Sequence, residues 1–255
     1  MIIKFIKKIF NLFGFSIHRY KKNLIQINTE DWTPLKNHNN DFKLYFEGLK
    51  RSKEEWTDSF SKKLRLYSLI QLVKKVLSAE SIQGDFAECG CWRGHSSYII
   101  SSLIYENKKK INFHIFDSFE GLSESTKEDD EFFKKTQGHK ESMTNHFKSS
   151  EYFLKNDVLR EFNFIKTYKG WIPSRFSEVR NSRFSFVHLD VDLYQPTLDS
   201  LDFFFERLVP GGILVCDDYN SSQFPGAKNA WDHYFKNKKF TLFYEQAFGG
   251  CYLIK

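Results

Sequence analysis

Two short acidic motifs hold most of the chemistry legible in this chain: Asp190-Val191-Asp192 within FVHLDVDLYQP, and Asp217-Asp218 within GGILVCDDYN. Each follows a run of β-branched and aromatic residues, which predicts a buried strand ending where the acids begin, the edge at which open α/β sheets bind ligands. One helix and one strand fit between Asp190 and Asp217, so both are expected to end adjacent parallel strands. Carboxylates converging there repel one another unless a divalent cation or raised pKa values relieve them. Hard oxygen donors favour Mg²⁺ over zinc, and no converging Cys/His set competes. Asp192 would point away from Asp190 if the strand continued, so it is expected to cap a helix or support the site from behind. Solvated loop acids are the alternative.

A second constellation lies upstream, in GDFAECGCWRGHSS. Gly90 and Gly94 follow a strand and open a helix, so the backbone can approach a ligand closely and aim free helix N–H groups at it. The spacing is E-x-G-x-x-x-G, not the G-x-G-x-x-G of dinucleotide binders. It suits a nucleoside carrying an amino-acid end, with Glu88 accepting from an ammonium. Asp117 closes the next strand in HIFDSFEGL, where it can accept hydrogen bonds from ribose hydroxyls. A structural strand-to-helix turn, and a turn cap at Asp117 or Ser118, are the alternatives.

The elements that must position these residues alternate along the chain. Strands are expected at 84–88, 111–116, 163–168, 184–189 and 213–216, and helices at 61–77, 94–105, 150–161, 197–208 and 226–236. A turn at Pro210-Gly211-Gly212 and a closing strand pair, 240–244 and 251–254, complete the pattern. It implies a parallel sheet with helices on both faces and an antiparallel C-terminal pair. Residues 121–150 are polar and lack regular apolar spacing, and are read as a mobile lid. His139 within it is read as solvated. The chain's 28 Phe residues are read mostly as core, with Asp202-Phe203-Phe204-Phe205 also able to line a pocket or a subunit contact.

Residues 1–55 are expected to be a leader and 56–255 the main domain. The net charge of +6 is mild for a nucleic-acid binder, and much of the excess falls early, on Lys4, Lys7, Lys8, Arg19, Lys21 and Lys22. The apolar residues among the first 13 cover a broad helical face, a pattern that suits a helix lying in a membrane interface. It is too short to span a bilayer, and docking on the domain or on another subunit is the alternative. Cys89, Cys91, Cys216 and Cys251 lack metal-site spacing and are read as reduced, buried thiols of a cytoplasmic protein, one whose basic start reaches either the inner face of the membrane or a partner subunit.

Together GDFAECGCWRGHSS, FDSFEGL, KGWIPSRF, HLDVDLYQPTLDSLDFFFERLVPGGILVCDDYN and PGAKNAWDHYF resemble the macrocin-type O-methyltransferases, metal-dependent sugar-methylating enzymes, over residues 57–255. The resemblance implies a Rossmann-like class I methyltransferase fold using S-adenosylmethionine, with Glu88, Gly90 and Gly94 around the methionine part, Asp117 at the ribose, and Ser118 and Trp171 near the adenine. It makes Asp190, Asp217 and Asp218 ligands of Mg²⁺, and Asp190 also the general base. Related catechol-type enzymes place a basic lysine shortly after the first metal acid; Leu193 stands here, which leaves the role to Asp190. The expected activity is methylation of a sugar hydroxyl on a bacterial glycan, such as a polysaccharide precursor, or on a glycosylated metabolite, by a homodimer. A membrane-surface scaffold that has lost turnover is the alternative. A nucleic-acid methyltransferase is disfavoured, since no N-P-P-Y-like motif or basic-aromatic stripe accompanies the core.

Overall fold

A computed structural model describes residues 15–21, 24–29, 39–129 and 145–255. It divides into two compact units, Met1–Lys43 and Leu44–Lys255. In the first, β1 (Phe15–Lys21) and β2 (Leu24–Thr29) pair antiparallel, with Ile17 opposite Ile27. The helix expected over residues 1–13 lies outside the described residues. The following basic stretch is a correction: from Phe15 to Lys21 it is a strand, not irregular leader, and the alternation of Phe15 and Ile17 with polar neighbours is its signal.

Helix α1 (Asn39–Arg51) was also not anticipated. Its Tyr45 and Leu49 are buried in the core of the second unit, so the unit boundary precedes the residue-55 boundary read from sequence. Helix α2 (Phe60–Ser78) follows, capped by Ser59, whose hydroxyl accepts from the Lys62 N–H. The main sheet then begins: β3 (Asp85–Cys89), α3 (His95–Asn107) and β4 (Phe113–Asp117). The helix expected over 150–161 is shorter and irregular, one turn α4 (Glu151–Phe153) continuing as a π-helical turn over Leu154–Val158. Next come β5 (Ile165–Lys169), β6 (Phe184–Leu189), α5 (Tyr194–Arg207) and β7 (Leu208–Cys216). Pro210-Gly211-Gly212 lies inside β7 rather than in a turn before it, and the register with β6 shifts there. The chain closes with α6 (Pro225–Phe235), β8 (Leu242–Glu245) and β9 (Cys251–Ile254).

The strands form one seven-stranded sheet in the order β5-β4-β3-β6-β7-β9-β8. The first five are parallel, while β9 runs antiparallel to both β7 and β8, as the sequence pattern implied. Side-chain alternation covers both faces. Phe86, Ile115, Phe186 and Val215 pack toward α2 and α3, whereas Ala87, Phe116, Val187 and Leu214 join the cluster holding Phe204 of α5 and Trp231 of α6. Phe204 and Phe205 are buried and Phe203 partly so, which settles that stretch as core. The four cysteines are free and buried, as expected.

Of residues 121–150, positions 130–144, His139 among them, lie outside the described residues. The described part is anchored at Asp129, which is 1% exposed and whose carboxylate accepts from the backbone N–H groups of Thr126 at 2.8 Å and Tyr194 at 2.9 Å.

Phe204 meets Phe176 and Phe184 edge-on at 5.0 Å and is fully buried. Phe204→Ala is expected to lower the unfolding free energy by about 3–5 kcal/mol in urea titrations, because the cavity lies between rigid rings that cannot collapse into it.

Candidate active site

The carboxyl ends of β3, β4, β6 and β7 come together at one edge, and the backbone keeps them in register beyond the strands. Gly90 N–H donates to Phe116 O, Asp190 N–H to Cys89 O and Asp217 N–H to Leu189 O, each at 2.8 Å. Gly90 has φ +80°, and a Cβ there would lie 1.8 Å from the Asp190 carbonyl oxygen, so only glycine lets the two loops approach this closely. Asp117 stitches the glycine loop to β4. Its Oδ2 accepts from Cys91 N–H at 2.8 Å and Trp92 N–H at 3.1 Å, and its Oδ1 from Phe119 N–H at 2.6 Å. The carboxylate that sequence reasoning assigns to a ribose is thus already held rigid by the loop.

Two cavities open at this edge. A narrow slot of about 80 Å³ lies between Gly90, Asp117, Ser118 and Trp171. A larger cavity of about 700 Å³ is bounded by the loop after α1, the start of α2, and the loops after β6 and β7. Trp92, Phe147, Asp190 and Asp192 line both.

The acids at this edge split into two groups. Carboxylate oxygens of Asp190, Asp192 and Asp218 lie within 4.8 Å of one another. Burial and the charge of Asp217 push Asp190 up to about 6; burial and mutual repulsion push Asp192 and Asp218 well above the usual carboxylate range. Asp217 goes the other way. Burial opposes its charge, but Arg65, which donates to Oδ2, and His188 outweigh burial and hold it down at about 2. The converging all-oxygen donors of Asp190, Asp192 and Asp218 fit a hard divalent cation, whose charge would relieve their repulsion.

Beneath this edge runs a buried ionic chain. Burial works against a charged His188, yet the carboxylates of Asp217 and Glu88 on either side hold the imidazolium up at about 10. His188 Nδ1 is 3.0 Å from Glu88 Oε1, whereas Nε2 stands 4.0 Å from Asp217 Oδ1, so only the Glu88 contact is a hydrogen bond. Ser97 of α3 donates to the other Glu88 oxygen.

Several expectations change. Glu88 is fully buried and lines neither cavity, since β3 points it at α3 and His188 rather than at a ligand's ammonium. Gly94, at φ +92°, lies off both cavities, and a Cβ there would meet Leu154 at 2.4 Å, so its glycine serves packing. Asp192 replaces Asp217 in the close carboxylate cluster: β6 stops at Leu189, and Asp192 turns inward with φ +61° instead of continuing the strand's alternation. Gly90, Asp117, Ser118, Trp171 and Asp190 line the slot. Sequence reasoning missed Arg65 and His188. A histidine inside FVHLD, flanked by apolar residues, was the available signal for the second.

This sheet order, with a glycine loop after β3 and acids at its carboxyl edge, defines the class I methyltransferase fold. The chain belongs to the macrocin-O-methyltransferase (TylF) family, whose model matches residues 21–244 and so reaches well into the segment that the resemblance over 57–255 left uncovered. It is 30% identical over 165 residues to an 8-demethyl-8-(2,3-dimethoxy-alpha-L-rhamnosyl)-tetracenomycin-C 4'-O-methyltransferase of Streptomyces olivaceus, covering 61% of this chain and 60% of that protein. It is 24% identical over 174 residues to a demethyldecarbamoylnovobiocin O-methyltransferase of Streptomyces niveus, covering 67% and 64%. The chain thus spans about three fifths of the length of these curated relatives. Among solved structures, the O-methyltransferase NovP superposes with a TM-score of 0.60 at 23% identity, covering 75% of this chain and 79% of that one.

Removing His188 would leave the Glu88 charge buried without its cation. His188→Ala is expected to cost about 3–5 kcal/mol at pH 7. A histidine raised from 6.5 to about 10 contributes stability that is fully present below pH 6.5 and fades as pH rises through about 10. Urea unfolding of wild type and variant should therefore converge between pH 7 and 10.5.

Proposed function

We propose that the protein is an S-adenosylmethionine-dependent, Mg²⁺-dependent O-methyltransferase acting on a sugar hydroxyl of a bacterial glycan or glycosylated metabolite. The observation that carries this reading is the wall of Trp92, Phe147, Asp190 and Asp192 common to both cavities. A nucleoside seated in the slot and an acceptor in the larger cavity would meet there, at an acid. The name of one relative, a rhamnosyl-tetracenomycin-C 4'-O-methyltransferase, supports a glycosylated acceptor.

When bound, S-adenosylmethionine supplies a transferable methyl group on a cationic sulfur, and Mg²⁺ supplies Lewis acidity that makes a hydroxyl easier to deprotonate. The chain's own residues do the rest. Gly90 leaves room for close approach, Asp117 orients the ribose, and Ser118 and Trp171 border the adenine. Asp190, Asp192 and Asp218 hold the cation, while Arg65 keeps Asp217 charged beside them. Asp190 accepts the proton of the acceptor hydroxyl. Trp92 and Phe147 keep water from the point of transfer.

As the setting we propose a cytoplasmic homodimer whose residues 1–22 touch the inner face of the membrane, the early lysines attracting anionic lipid. No helix among the described residues is long and apolar enough to cross a membrane. Co-sedimentation with phosphatidylglycerol vesicles should be present at low salt and lost at high salt.

A methyl-transfer screen over nucleotide sugars, lipid-linked glycans and free glycosides, with and without Mg²⁺, tests the activity. Asp190→Asn should lower the rate by about 10²–10⁴-fold while S-adenosylmethionine still binds by calorimetry. Asp218→Ala should abolish Mg²⁺-dependent transfer, and full activity in excess chelator would refute the metal-dependent mechanism. Mg²⁺ should raise Tm more at pH 7.5 than at pH 5, because below about 6 a proton on Asp190 competes with the cation.

A further inference from the structure

The edge of the main sheet opposite the two cavities is as basic as the cavity edge is acidic. The five parallel strands start there, β9 ends there, and β8 starts there with Leu242 opposite Ile254. Three connections crossing it are rich in cations: Asn107-Lys108-Lys109-Lys110 between α3 and β4, Arg180-Asn181-Ser182-Arg183 before β6, and Lys236-Asn237-Lys238-Lys239 between α6 and β8. Lys255 follows β9. With strands about 4.8 Å apart, the five intervals from β4 to β8 spread these charges over about 24 Å.

Few acids answer these cations. Glu161 accepts from Arg51, Glu206 lies 3.5 Å from Lys238, and Glu80 and Glu106 stand exposed nearby. Lys108, Lys110, Arg180, Lys236 and Lys239 are exposed, and no carboxylate pairs with them among the described residues. The crowding is felt within the edge itself: burial and the charges of Arg183 and Lys238 hold Lys255 below the usual lysine range, although Glu206 opposes them. Helix dipoles account for only part of the excess. The C-termini of α3, α5 and α6 meet this edge and together carry about 1.5 negative charges, and Arg183 and Lys255 already donate to the last carbonyls of α5. At the far edge stand Asp117, Asp190, Asp192, Asp217 and Asp218, and even a divalent cation bound among them leaves the amino edge the more positive of the two. An anionic surface therefore draws one edge toward it and turns the other away.

We propose that this amino edge docks the main domain on an anionic lipid bilayer, with both cavities turned to the water. The surface is separate from residues 1–22 and needs no contact from them. A broad row of lysines on surface connections suits an extended sheet of anions better than one bound phosphate. Tyr105, 63% exposed in the last turn of α3, adds an amphipathic ring of the kind that settles among headgroups. Nucleic-acid phosphates are gripped by helix N-termini, whereas helix C-termini meet this edge.

Co-sedimentation of the full-length protein with phosphatidylglycerol and with phosphatidylcholine vesicles at low salt tests this. Lys110→Gln, Lys236→Gln and Lys239→Gln combined should weaken binding to phosphatidylglycerol by about 10–100-fold with Tm unchanged, since each lysine near the surface strengthens it several-fold. Lys4→Gln, Lys7→Gln and Lys8→Gln combined should leave part of the binding in place. On vesicles, hydrogen exchange should slow in residues 107–112 and 236–241 and not in 217–224. The inference is overturned if the edge variant binds like wild type, if phosphatidylcholine binds as tightly, or if 217–224 is protected instead. A duplex oligonucleotide that binds wild type more tightly than the vesicles do, and is lost in the edge variant, also overturns it. If only the N-terminal variant loses binding, the edge has no such role while the membrane contact of residues 1–22 stands; if wild type binds no vesicle, both fail. The methyl-transfer reading is untouched by every one of these outcomes.

Discussion

The arrangement of this protein depends on how negative charge is compensated at one edge of a sheet. Glu88, Asp190, Asp192, Asp217 and Asp218 gather where parallel strands end, and for Asp190, Asp192 and Asp218 the surroundings disfavour charge. Two cations built into the chain answer part of the problem. His188 lies between Glu88 and Asp217, and Arg65 reaches Asp217 from α2. What remains uncompensated is the cluster of Asp190, Asp192 and Asp218, and that residue of repulsion is what makes a divalent cation the fitting partner.

The same edge shows how backbone and side chain share the labour of placement. Main-chain hydrogen bonds carry the strand ladders on into the loops, so Gly90, Asp190 and Asp217 keep the register of their strands. Asp117 then binds the glycine loop, one carboxylate oxygen accepting from the Cys91 and Trp92 amides and the other from Phe119 in its own loop. The loop at the slot is thus already ordered, and little of its freedom would remain to be lost on binding a ligand.

Much of this was legible in the sequence, and the misses have physical causes. β6 and β9 fall where their apolar runs put them, and the other main-sheet strands within a few residues, because buried strands are marked by composition alone. The same logic placed Asp190 and Asp217 on neighbouring strands. It failed for Asp192, since alternation holds only while the strand lasts, and the left-handed turn at that residue has no signature in DVDL. Glu88 looked like a ligand-binding acid because it leads directly into the glycine turn; that it lies under α3 depends on Ser97 and His188, residues outside that turn. Helix α1 was hidden because its buried face is narrow, resting on Tyr45 and Leu49.

The four cysteines invite a last consequence. Burial drives the thiols of Cys89, Cys91 and Cys251 up in pKa, so in the folded protein they offer almost no thiolate at neutral pH. Alkylating reagents and oxidants would reach Cys89 on β3 and Cys251 on β9 only through opening of the sheet itself. The chain thus carries its own intrinsic clock for unfolding, one in which the rate of thiol labelling reports how often the central strands come apart.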